Sequence, residues 1–305
     1  MRLYGSLALL TAAAIWGGMY VVSRAVMNVI PPYTLLELRL LISSVILGAI
    51  VLAARRFRVR ARDLPLLGLL GALGMTVSVG AQFVGTHLAS ASAGGLITSA
   101  SPAFIAVFAA WLLRERITRP KLFALALASG GVLLVSWPAP GSLQGPAAGL
   151  GNLLLIAAAI AWALYTVLSR RATLRYSALT VTWYAGFVGA LTTLPFAAWE
   201  LRAQPLPPVP AWAWWGVLYI GIMSTAVAFY LWNLGFTLVD AGTGSLFFFA
   251  QPLVAGVLGW LVLGEQIGPS FFAGGALIIA GVATATLAPA PAATAPTAVT
   301  SGEPQ

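Results

Sequence analysis

The sequence has no cysteine, a single histidine (His87) and very little charge: Asp, Glu, Lys and Arg make up 8% of its 305 residues, against about 25% in soluble globular chains. Without cysteine there are no thiolate metal sites, disulfides or cysteine nucleophiles, and one histidine rules out multi-histidine zinc and di-iron constellations. What fills the chain instead is apolar. Hydrophobic side chains account for 60% of it, which reads as an integral membrane protein. The net charge of +9 is carried by short basic clusters between apolar stretches, so it reads as a topology signal rather than a nucleic-acid footprint.

A helix needs about 20 apolar residues to cross the hydrocarbon of a bilayer. Stretches of that order fall at residues 3–22, 33–54, 64–86, 91–113, 120–137, 148–169, 177–199, 211–235, 241–263 and 270–287, which predicts ten transmembrane helices. With the N-terminus inside, Arg2, Arg55, Arg56, Arg58, Arg60, Arg62, Arg114, Arg116, Arg119, Lys121, Arg170, Arg171 and Arg175 face the cytoplasm. Only Arg24 and Arg202 lie outside, and Arg39 lies within a span. The positive-inside rule then places both termini in the cytoplasm. The apolar run after Arg2 also has the shape of a signal peptide, but cleavage there would leave an odd number of spans and spoil an internal repeat.

That repeat pairs Trp16 with Trp162 and Arg24 with Arg170. At a slightly larger offset it pairs Gly71 with Gly221, Gly85 with Gly235, Pro102 with Pro252 and Glu115 with Glu265. Each half holds five spans. Since five is odd, the second half crosses the membrane in the opposite sense, an architecture shared by many secondary transporters. The expected organisation is an all-α membrane protein in a 5+5 inverted repeat, with residues 1–145 and 146–287 as the two halves. Residues 288–305, rich in Ala, Pro and Thr, are expected to form a disordered cytoplasmic tail.

Candidate site residues are those that contrast with the apolar background. Pro102 and Pro252 each remove a backbone donor and crowd the carbonyl four residues earlier, predicting matched kinks near Thr98 and Phe248; interrupted helices at matching positions point to a transporter binding site. Gln82, Ser99, Ser101, Asn152, Asn233 and Gln251 are neutral hydrogen-bonding groups within spans, suited to a neutral or zwitterionic solute. Trp16 with Tyr20, Trp162 with Tyr165, and Tyr230 with Asn233 share helix faces at spacings of three or four. Arg39 lies roughly 9 Å into its span at 1.5 Å per residue. It either holds a substrate carboxylate or is a structural residue that snorkels outward or bonds loop carbonyls. Glu37 points about 200° away from it on the same helix. Trp137, Trp212, Trp214 and Trp215 read as interfacial anchors, His87 as an interfacial hydrogen-bonder, and Gly74 with Ser78 and Gly281 with Ala285 as helix seams.

Several of these features together resemble the EamA branch of the drug/metabolite transporter superfamily. They are Ile15-Trp16-Gly17 in the first span, Arg39 within ELRLL, a Gly-rich last span, and SASPAFIAVFAAWLLRERIT echoed by FFFAQPLVAGVLGWLVLGEQI. The resemblance covers residues 1–287 and is nearest to the YddG-type amino-acid exporters, which implies outward movement of aromatic and other neutral amino acids.

The expected function is therefore a secondary transporter in the inner (plasma) membrane that exports small neutral metabolites by alternating access. Its substrate-binding residues are expected among Trp16, Tyr20, Arg39, Gln82, Ser99, Trp162, Tyr165, Tyr230, Asn233 and Gln251. The alternatives are an exporter or permease of another metabolite or drug class, a membrane-embedded enzyme, or a structural subunit. Enzyme chemistry is disfavoured because no paired acids lie in mid-span and His87 has no partner serine motif. No metal or cofactor is expected. The expected partners are a small-molecule substrate and membrane lipid, with no nucleic acid, and the reading is compatible with a monomer.

Overall fold

The computed structural model describes residues 2–88, 94, 97–135, 148–263 and 268–287. The expected tail at 288–305, Trp137 and Glu265 lie outside them, as do the side chains of Tyr20 and Arg24. Among the described residues all regular structure is helical.

The first half opens with α1 (Arg2–Val26) and α2 (Pro32–Ala53). Its third span runs through α3 (Leu64–Leu70), a π-helical segment (Gly71–Val79) and α4 (Gly80–Leu88), and α5 (Ser101–Leu112) and α6 (Arg119–Val135) follow. The second half runs through α7 (Ala148–Thr173) and α8 (Ala178–Ala203). A further interrupted span follows, made of α9 (Ala211–Tyr219), a π-helical segment (Ile220–Val227) and α10 (Ala228–Leu238). Next come α11 (Ala241–Gly244), a 3-10 segment (Ser245–Phe249), α12 (Ala250–Leu263) and α13 (Pro269–Leu287).

Among the described residues, eight helical stretches are long and apolar enough to cross a membrane. The fourth and fifth expected spans are short by that measure among the described residues: α5 has 12 residues and α6 has 17. Side chains such as Val45, Trp111, Trp199 and Ile279 point outward, as suits helices solvated by lipid. Trp212, Trp214 and Trp215 are also exposed.

Local chemistry sets where the helices begin and how closely they pack. Pro31 and Pro32 open α2, where a missing N–H costs nothing. The next free donors are met by Glu200 from the end of α8, which accepts from the N–H of Tyr33 at 3.2 Å and of Thr34 at 2.7 Å. A carboxylate is well placed at that positive helix end. Helix α8 begins at Ser177, whose hydroxyl accepts from the Thr180 N–H. The last helix of each half, α6 and α13, pack against one another. A Cβ on Gly131 would meet the Gly274 carbonyl at 2.5 Å, and one on Gly274 would meet the Gly131 carbonyl at the same distance. Only glycine allows so close an approach.

The two anticipated prolines stand differently. Pro102 lies in the first turn of α5, after a turn at Ser99–Ala100 that breaks the helix. Pro252 lies in a helical stretch that is continuous from Ala241 and changes from 3-10 to α winding at Phe249–Ala250, just ahead of it.

Candidate functional site

A cavity of about 40 Å³ lies where the two halves meet. The first half contributes Trp16 and Met19 from α1, Arg39 from α2, Ser78, Val79 and Gln82 around the π-helical segment, and Thr98 and Ser101 at the start of α5. From the second half come Ala158, Ala159 and Trp162 of α7, with Phe229, Phe248 and Gln251 from the helices that follow.

One wall is aromatic. The Trp16 ring meets Trp162 edge-on at 5.3 Å, Phe229 at 5.3 Å and Trp232 at 5.2 Å, and Trp162 lies 6.1 Å from Phe248. Such edge-to-face pairs fix ring orientation as well as burying area. The Trp16 indole N–H donates to the Ser224 carbonyl at 2.9 Å. No hydrogen-bond partner meets the buried Trp162 N–H among the described residues.

Behind this wall is a layer of hydrogen bonds. Asn233 donates to the Tyr165 hydroxyl at 3.1 Å and to Thr182 Oγ1 at 2.9 Å, and it accepts from the Ser169 hydroxyl. The network ties α7, α8 and α10 together and holds Tyr165 beneath Trp162, with ring centroids 5.2 Å apart.

The other wall carries Arg39, which is 1% exposed. Its Nε donates to Thr225 Oγ1 at 2.7 Å and Nη2 to Ser224 Oγ at 3.3 Å, while Nη1 approaches Met19 Sδ at 3.5 Å. The guanidinium lies 5.8 Å from the centroid of the Phe83 ring. It therefore neither snorkels outward nor bonds loop carbonyls.

Of the residues singled out in the sequence, Trp16, Arg39, Gln82, Trp162 and Gln251 line this cavity, and Tyr165 and Asn233 stand behind it. Ser99 and Tyr230 are not on the lining. Ser99 sits in the turn ahead of α5, and Ser101 takes the lining position instead. The buried stripe of α10 runs through Phe229, Trp232, Asn233 and Phe236, which leaves the neighbouring Tyr230 at its edge. The side chain of Tyr20 lies outside the described residues. Pro102 borders a different cavity of about 140 Å³, together with Glu115, Lys121 and Leu246. Sequence reasoning missed Ser224, Thr225, Phe229 and Phe248. The Gly71–Gly221 pairing could have marked the first two, since it falls in the two π-helical segments, a form enriched at functional sites.

A polar cluster at the end of the molecule that carries Arg170 joins the halves. Glu115, just past α5, accepts from the N–H groups of Ala241 and Gly242 at 3.0 and 3.1 Å and pairs with Arg170 at the end of α7. Lys121 of α6 pairs with Asp240 at 2.5 Å, and Asp240 also caps α11 through the Thr243 N–H. Burial pushes the Asp240 carboxyl upward. The Lys121 hydrogen bond, the Thr243 N–H and the Lys121 charge outweigh it and hold the group below the usual carboxylate range. At the opposite end of α7, near Leu154, a groove of about 860 Å³ opens beside Tyr33, His87, Trp199 and Glu200.

The profile of the EamA-like transporter family matches residues 3–137 and again residues 149–287. The chain belongs to the EamA-like transporter family. It is a multi-pass membrane transporter, built like its relatives. It is 32% identical over 92% of its length to the uncharacterized transporter YetK of Bacillus subtilis, covering 86% of that protein. It is 29% identical to a protein of Streptantibioticus cattleyicolor named a probable terminal-alkyne amino-acid exporter, over 74% of each chain. A crystal structure whose description states no function superposes with a TM-score of 0.78 and 26% identity, covering 94% of this chain and 98% of that one.

Proposed function

We propose that this EamA-family protein exports small neutral metabolites, aromatic and other neutral amino acids among them, across the inner membrane by alternating access. The observation that carries the reading is the central cavity, which takes an aromatic wall and hydrogen-bonding side chains from both halves. The name of the Streptantibioticus relative points to the same class of solute.

In this reading residues 1–145 and 146–287 form two inverted repeats, their ten spans leave both termini in the cytoplasm, and the halves rock about the cavity. The Glu115–Arg170 and Lys121–Asp240 pairs close the cytoplasmic end, and they must separate before a solute can enter from that side. Trp16, Trp162, Gln82 and Gln251 would contact the solute, Tyr165 and Asn233 would position the aromatic wall, and Ser99 and Tyr230 would come into range only on opening.

Counterflow of labelled amino acids in proteoliposomes tests the function: saturable exchange of phenylalanine is expected, and flux equal to that of empty liposomes would refute it. A reporter fused after Gln305 that is active only outside the cytoplasm tests the topology; it should stay silent, and activity would overturn the orientation.

A further inference from the structure

A buried cation calls for compensation, and Arg39 finds little. Its partners among the described residues are a threonine hydroxyl, a serine hydroxyl and a thioether, all neutral. The ion pairs among the described residues involve Lys121, Arg170 and Arg175, not Arg39. Glu37, two positions along α2, points about 200° round the helix and does not line the cavity. A guanidinium has five N–H donors in a planar fork that matches a carboxylate, so donor capacity remains.

An independent observation lies on the same lining. Trp162 is 7% exposed, and its indole N–H has no acceptor among the described residues. The neighbouring Trp16 N–H, by contrast, is engaged by the Ser224 carbonyl. Buried donors are rarely left unmatched, and an exception usually marks a place filled by something else. Among the described residues the lining thus includes a buried cation and a tryptophan whose N–H is unmatched, and it contains no carboxylate.

We propose that Arg39 and the Trp162 indole N–H together recognise a carboxylate on the solute, while Trp16, Phe229 and Phe248 receive its apolar part. This rests on the transport reading above and sharpens it. The carboxylate is required, and an ammonium group is dispensable because no acid on the lining waits to pair with one. Aryl-alkyl carboxylates are then ligands as well as amino acids, and the corresponding amines are not.

The test uses the full-length protein with three probes: phenylalanine, 3-phenylpropanoate and 2-phenylethylamine. In proteoliposomes loaded with phenylalanine, 3-phenylpropanoate should inhibit counterflow and 2-phenylethylamine should not. In detergent, the carboxylate should raise the melting temperature and the amine should leave it unchanged. Trp162→Phe keeps an aromatic ring but removes the donor, and it should weaken 3-phenylpropanoate about tenfold, the usual scale for a hydrogen bond to a charged group. Arg39→Lys should retain part of the preference for the carboxylate and Arg39→Gln should lose it.

Should the arginine variants fail to fold, the wild-type probe panel and Trp162→Phe decide the matter. Equal competition by amine and carboxylate would overturn the proposal while leaving amino-acid transport standing. Stabilisation by 3-phenylpropanoate without any phenylalanine counterflow would support the anchor and refute amino-acid transport.

Discussion

Trp16 in the first span donates its indole N–H to the backbone carbonyl of Ser224 at 2.9 Å, joining an uninterrupted α-helix of one half to a π-helical segment of the other. The same segment supplies the hydroxyls of Ser224 and Thr225 to Arg39. One irregular turn therefore fixes both the aromatic and the cationic side of the cavity.

Trp16→Phe keeps a ring but deletes that bond between the halves. It should lower stability by about 1–2 kcal/mol, the range for a lost buried hydrogen bond, and thermal unfolding in detergent measures it. An unchanged midpoint would mean that the carbonyl readily finds another donor.

Trp162→Ala removes a ring that faces the cavity. Aromatic contacts contribute roughly 0.5–1.5 kcal/mol beyond area burial, so export of phenylalanine or tryptophan should weaken up to about tenfold more than export of threonine, which loses only what the indole N–H contributes. Equal loss for all three would mean that the ring adds nothing beyond its donor. No loss for any of them would remove Trp162 from the site.

Asn233→Leu leaves the buried hydroxyls of Ser169, Tyr165 and Thr182 without their shared partner. Buried polar groups deprived of a partner cost about 1–3 kcal/mol each in the worst case. A drop of at least about 2 kcal/mol is therefore expected, together with weaker transport of aromatic solutes as Tyr165 loosens. A change within about 0.5 kcal/mol would mean that water replaces the amide.

The ion-pair cluster around Glu115, which the proposed orientation puts on the cytoplasmic side, gives a prediction with a clean reporter, because the chain has no cysteine of its own. Leu246 is buried beside Glu115 and Lys121. In a Leu246→Cys background, Glu115→Gln should speed labelling by a membrane-impermeant thiol reagent added from the cytoplasmic side by about tenfold, since the ion pair is lost and the α11 N–H groups are held less strongly. The Asp240 carboxyl is held below its ordinary value of 3.8. Its pairing with Lys121 is then intact at neutral pH, and its stabilising effect is lost only as pH falls through that lowered pKa. Labelling should accordingly be flat from pH 8 to pH 5. A rise within that window would assign gate opening to another group.

How legible these features were in the sequence depended on contrast. Trp16, Trp162, Arg39, Gln82 and Gln251 stand out because they are polar or bulky in apolar runs, and the Trp16–Trp162 match aligned the two halves. Phe229 and Phe248 offer no such contrast, since one more phenylalanine in a hydrophobic span looks like any lipid-facing residue. Ser224 and Thr225 escaped notice because a π-helical turn shifts which residues share a face, and hydropathy carries no record of backbone register. Pro102 follows a broken turn and Pro252 a change of helical winding, and the one-letter pattern does not distinguish the two. Tyr230 and Asn233 were paired by spacing alone, and the packing of Phe229 and Trp232 sets a stripe that excludes Tyr230.

The central claim, a solute site shared by the two halves, is tested most directly by phenylalanine counterflow in proteoliposomes with wild-type and Trp162→Ala protein side by side. The account predicts saturable exchange by the wild type and at least about tenfold weaker exchange by the variant, which lacks both the ring and its N–H donor. Linear uptake that matches protein-free liposomes, in both preparations, would contradict it.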